Sequence, residues 1–163
     1  MKTSNAKNVA LAAMIACLYV ILTQLPMLSA LSYGPVQFRI AEALCALPVL
    51  SPWAIAGLTV GCFISNLFSP MVFDMIFGTA ATLIGAVLTY ILRKNRPLAL
   101  LMPAISNGII IGLELSLFWA ESQFSAALFV ANAAAVAVGE IAVCYILGLP
   151  LIKTLEKYKI FYH

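Results

Sequence analysis

Charge is what this sequence has least of. Only 9% of its 163 residues are charged and 64% are hydrophobic, where a soluble domain carries roughly 25% charged residues. That balance places the chain in a lipid bilayer. Histidine is limited to His163, which leaves no histidine-based triad or metal cluster. No G-x-x-x-x-G-K-[ST] loop is present, so ATP is not hydrolysed by that route. No run of aspartates could hold magnesium for phosphoryl or prenyl transfer. Cys17, Cys45, Cys62 and Cys144 form no CxxC pair and no metal spacing, and they read as small core residues. The chain therefore reads as a non-enzyme that needs no metal and no other cofactor. The pI near 8.7 comes from cations at helix ends and gives no reason to expect nucleic acid. No cleavable leader is expected, because the first apolar run is too long and lacks a small-residue cleavage site.

What is present is apolar sequence broken at regular intervals. A spanning helix takes about 20 residues, so six spans would use most of the chain. The breaks predict helices over about 8–25, 37–50, 53–68, 74–92, 98–119 and 124–151, one six-helix membrane domain over 1–163. Lys2 and Lys7, then Arg93, Lys94 and Arg96, then Lys153, Lys157 and Lys159 form three cationic groups. Cations collect on the cytoplasmic side, so both termini and the turn near Asn95 are expected inside the cell membrane. No internal duplication is visible, and secondary transporters usually rock one repeat against another. Six short helices without that symmetry look more like a substrate-binding subunit than a complete transporter.

Arg39 stands apart from the three cationic groups. It lies with Gln37 and Glu42 after a Gly34–Pro35 turn, at the entrance to an apolar helix. Arg39 and Glu42 are three apart and share a helix face. Ionisable groups at membrane depth usually face a cavity or a partner, so this reads as the lip of a binding site. An interfacial helix start with a local ion pair would use the same residues. Asp74, Glu114 and Glu140 are the other acids in or beside the spans, and acids outnumber bases. A cationic or donor-rich ligand would balance them. Asp74 would equally serve as a helix N-terminal acid. Asn107 shares a face with Glu114, and Asn132 with Glu140. Ala12 and Ala16 form a small-residue stripe that admits a neighbouring helix closely, either a partner's or one of this bundle's own.

Two stretches carry a family resemblance. GPVQFRIAEALCALPVL, residues 34–50, and FDMIFGTAATLIGA, residues 73–86, resemble the marked segments of the QueT family of queuosine-precursor transporters. Those proteins are S components of energy-coupling-factor (ECF) importers. The resemblance implies a six-helix S-component bundle that binds a 7-deazaguanine, such as 7-aminomethyl-7-deazaguanine or queuine, from outside. It implies a transmembrane coupling subunit and two ATPase subunits as partners, with Ala12 and Ala16 on the coupling face. A 7-deazaguanine offers adjacent N–H donors, a carbonyl acceptor and a flat ring. On that expectation Glu42 and Glu114 lead the candidate contacts, followed by Arg39, Asn132, Asp74 and Glu140. Asn66 and Asn107 are further polar candidates; Gln37, Phe38, Tyr33 and Trp119 are candidates for lid and stacking. A structural or assembly membrane protein with no small ligand is the alternative from another class.

Overall fold

Proline and glycine set where the chain turns, and between the turns it is helical. The computed structural model describes residues 2–25, 39–69, 71–119 and 124–158. Helix α1 spans Lys2–Gln24, six residues earlier than expected, because nothing in the polar start breaks a helix. The next helix, α2, spans Ile40–Val49; Trp53–Asn66 forms α3 and Asp74–Ile91 forms α4. Helix α5 runs over Arg96–Glu114 and continues through a π turn at Leu115–Trp119. Helix α6 covers Ala126–Lys157, with a π turn at Cys144–Gly148. Ser125 caps α6 by accepting from the Leu128 amide at 3.1 Å, and Asn95 accepts from the Leu98 amide ahead of α5, satisfying otherwise orphaned donors. Among the described residues the fold is all-helical and the six expected helices are present.

One of the six differs in kind. Helix α2 is a 3₁₀ helix of 10 residues, where such runs seldom exceed a few. Its i→i+3 bonds include Glu42 N–H to Arg39 O and Leu50 N–H to Leu47 O, both 2.9 Å. Pro48 has no N–H to give to a helical bond of either pitch, and Ala41, Ala43 and Ala46 keep the helix thin. Every residue from Ala41 to Pro48 is buried.

Helix α2 is the axis, and it contacts each of the other five helices. Around it, α1 packs on α3, α3 on α4, α4 on α5 and α5 on α6. Two of these seams are glycine-to-alanine contacts. A Cβ on Gly61 would meet the Ala16 carbonyl at 2.9 Å, and one on Gly112 would meet the Ala133 Cα at 2.7 Å. The bundle's outward side chains are apolar, among them Met14, Ile84, Ile109, Val138 and Ile146. Its buried ones include Arg39, Glu42, Asp74, Glu114 and Glu140. This inversion of the water-soluble pattern suits a lipid surround.

Four helices are long and apolar enough to cross a membrane: Asn5–Gln24, Asp74–Ile91, Arg96–Phe118 and Ala126–Lys157. The expectation of six full spans is met only in part. Helix α2 rises about 20 Å at 3₁₀ pitch, and α3, with 14 residues, rises about 21 Å. Both fall short of a hydrocarbon core of about 30 Å.

Contacts fix the direction of each helix. Gly57 lies against Ala12 and Gln24 Nε2 donates to Ser65 O, so α1 and α3 run parallel. Thr89 donates to Ala99 O and Tyr145 to Pro97 O, so α4 and α6 both run opposite to α5. The start of α1, the α4–α5 turn and the end of α6 therefore share one end, where Arg96 pairs with Glu156 at 2.7 Å.

Candidate ligand site

The buried polar groups gather toward the other end of the bundle, and α2 brings them there. At three residues per turn, Glu42 and Cys45 stack on one face of α2, directly after Arg39, which precedes the helix in an extended conformation. Glu42, 1% exposed, accepts from the Tyr19 hydroxyl of α1, while the Cys45 thiol donates to its Oε2 at 2.8 Å. Below them, the Asn107 side-chain amide of α5 donates to Glu140 of α6. The Cys144 thiol lies between the two acids, 3.6 Å from the Glu42 carbonyl and 4.0 Å from Glu140 Oε2. Charge-assisted bonds of this kind hold a carboxylate rigidly in a dry interior.

Arg39 links this cluster to a second one. Its Nη2 donates to Asn66 Oδ1 at 3.4 Å, and the acids Glu42 and Asp74 act on its charge. Asn66 Nδ2 in turn donates to the Asp74 carbonyl at 2.8 Å. Gly78 leaves room for this: a Cβ there would lie 2.6 Å from Asn66 Nδ2. The Asp74 carboxylate accepts from the Ser69 hydroxyl. Glu114, at the end of α5, is 1% exposed. Asp74 bears on it most, through its charge and a side-chain hydrogen bond, followed by Arg39. Phe73 and Phe118 hold these helix ends together, stacked with centroids 4.1 Å apart, and Phe77 joins them at 5.9 Å.

Of the residues singled out in the sequence, Arg39, Glu42, Asn66, Asp74, Asn107, Glu114 and Glu140 are all buried in this one region. Asn132 is used elsewhere, donating to Ser116 Oγ at 3.0 Å in the α5–α6 seam. Tyr33, Gln37 and Phe38 lie outside the described residues, as does the side chain of Trp119. Ala12 and Ala16 sit against Gly57 and Gly61 of α3, so that stripe is engaged within the chain. The outward face of α1 instead presents Ala6, Ala10, Ala13 and Cys17.

Sequence reasoning missed Tyr19, Cys45, Cys144 and the Phe73–Phe118 pair. A tyrosine inside an apolar helix was the available signal for the first, since a buried phenol needs a partner. Cys45 stands three residues after Glu42, the same spacing that marked Arg39. The arrangement offers fixed acceptors on Glu42 and Glu140, a donor set on Arg39 and Asn66, and the acid pair Asp74–Glu114. Such a set can meet both donors and acceptors of a polar molecule.

A curated relative, the queuosine precursor transporter QueT of Lactococcus lactis subsp. cremoris (strain MG1363), is 44% identical over 84 residues. That alignment covers 52% of this chain and 50% of the relative, so the match spans half the length of the relative. No solved structure matches. The family described as QueT transporter matches residues 9–157, nearly the whole chain and both marked stretches, and the protein therefore belongs to the QueT transporter family.

Proposed function

We propose that this protein is the substrate-binding membrane subunit of an ECF importer and that it takes up a 7-deazaguanine precursor of queuosine. The observation that carries the reading is the buried cluster of one arginine and four acids under an apolar outer surface. The base has two adjacent donors, its ring N–H and exocyclic amine, which a carboxylate accepts together. Glu42 is the carboxylate on the α2 face beside Arg39, and Arg39 with Asn66 serves the ring carbonyl. The arginine-rich end faces the cytoplasm by the positive-inside rule, so the site opens outward across a prokaryotic cell membrane.

Energy comes from elsewhere, since the chain has no phosphate-binding loop of the G-x-x-x-x-G-K-[ST] kind. A coupling subunit and two ATPase subunits supply it. The outward small residues of α1, Ala6, Ala10, Ala13 and Cys17, allow a partner helix to approach closely. Titrating the purified chain with a 7-deazaguanine by calorimetry tests the reading. Saturable binding is expected. A folded protein that binds no such base would point to a structural membrane protein instead.

A further inference from the structure

Asn66 is committed at both ends of its side-chain amide. Nδ2 carries two hydrogens; one goes to the Asp74 carbonyl at 2.8 Å and the other to the Cys62 sulfur at 3.4 Å. Oδ1 accepts from Arg39 Nη2 at 3.4 Å. The amide cannot turn over. Flipped, it would set its hydrogens against those of the guanidinium and its oxygen against the Asp74 carbonyl oxygen. Asn66 therefore has no donor left for a ligand. A guanidinium has five N–H donors, more than one amide oxygen can take.

Behind the amide stands Cys62, one turn earlier on α3 and fully buried. Its sulfur also accepts from the Thr82 hydroxyl of α4 at 3.2 Å, and its thiol lies 3.6 Å from the Gly78 carbonyl. The Tyr19 hydroxyl, which donates to Glu42, is hydrogen-bonded to Cys62 as well. Gly78 closes the other side, where a Cβ would lie 2.6 Å from Nδ2. The amide thus has one place and one orientation. An arginine carries its guanidinium on a long stem and loses freedom when it binds; one already held loses less. We propose that Asn66 is a positioning residue: Cys62 and the Asp74 carbonyl lock its amide, and the locked amide holds the Arg39 guanidinium toward the ring carbonyl of the ligand. This rests on the reading of Arg39 as the donor to that carbonyl in a 7-deazaguanine. The preference for oxygen at that ring position is then set from behind, by Cys62 and Thr82, which serve the ligand only through Asn66 and Arg39.

The test is calorimetric titration of the purified full chain with 7-deazaguanine and with 6-thio-7-deazaguanine. The second base keeps the ring N–H and the amine but offers a sulfur, a weaker acceptor, in place of the carbonyl oxygen. The wild type should favour the oxo base by about tenfold, the scale of one hydrogen bond to a charged group. Asn66→Ala and Cys62→Ala should each shrink that preference to about twofold or less, with folding checked by melting. Cys62→Ser, which keeps an acceptor and a donor at the place of the thiol, should restore it. Where Cys62→Ala does not fold, Thr82→Val decides in its place and should shrink the preference in the same direction. A preference that survives in the deciding variant, a serine variant that loses it, or equal weakening of both bases overturns the positioning role and leaves the 7-deazaguanine reading standing. Equal wild-type affinity for the two bases does the same, since no donor is then held at the carbonyl. Binding of neither base by the wild type overturns both.

Discussion

Glu42 accepts two side-chain hydrogen bonds, and its two donors come from different places in the chain. The Cys45 thiol is one 3₁₀ turn along the same helix, whereas the Tyr19 hydroxyl comes from α1. Replacing the carboxylate by an amide turns one acceptor into a donor that faces donors. Glu42→Gln should therefore weaken 7-deazaguanine binding by about 10–100-fold, the scale of one or two hydrogen bonds to a charged group, measured by titration with folding checked by melting. Tyr19→Phe removes one donor from the same buried carboxylate and should lower stability by about 1–3 kcal/mol, read as a depressed melting temperature in detergent. The Arg39–Glu42 spacing was legible in the sequence because both residues lie on one short element. The Tyr19 contact was not, because a separation of 23 positions closes only when α1 and α2 pack. Asn132 misled for the opposite reason: its spacing to Glu140 fits one helix face, but its amide is drawn to Ser116 across the α5 seam.

At the scale of helices, glycine opposite alanine decides which elements touch. Gly57 and Gly61 receive Ala12 and Ala16, so a large residue on that stripe drives into α3. Overpacking of a tight seam costs about 1–3 kcal/mol or more. Ala16→Trp should lose fold and binding together, in a melt and in a titration. Ala13→Trp, on the outward face, should keep ligand affinity and abolish ATP-dependent uptake in the assembled importer; uptake that survives would move the coupling face off α1. The stripe itself was visible as small residues four apart, but spacing alone does not say whose helix lies against it. The helix count was legible from proline and glycine breaks. The 3₁₀ pitch of α2 was not, because residues three apart share a face at either pitch. The difference matters to geometry. Rewound as an α-helix, the 10 residues would shorten by about 5 Å, and Glu42 and Cys45 would fan apart by roughly 60°.

For the molecule as a whole, the described residues of the three cationic groups read in the sequence fall at one end of the bundle, as the helix directions require. Reporter fusions after Asn95 and at the C-terminus should read cytoplasmic, and a fusion at Ser69 should read external. An external reading at Asn95 would reverse the orientation. Which acids approach one another was beyond the sequence, because it depends on helices closing round an axis too thin and too buried to announce itself. That axis has a thermodynamic consequence. Since α2 touches every other helix, carries Glu42 and starts directly after Arg39, ligand binding and global unfolding are linked equilibria with no independently stable part between them. One cooperative melt is expected, and its midpoint should climb with free ligand, by the equivalent of about 2.7 kcal/mol at a hundred times Kd. A two-step melt of which only one step responds to ligand would show that the helices do not depend on α2 in common.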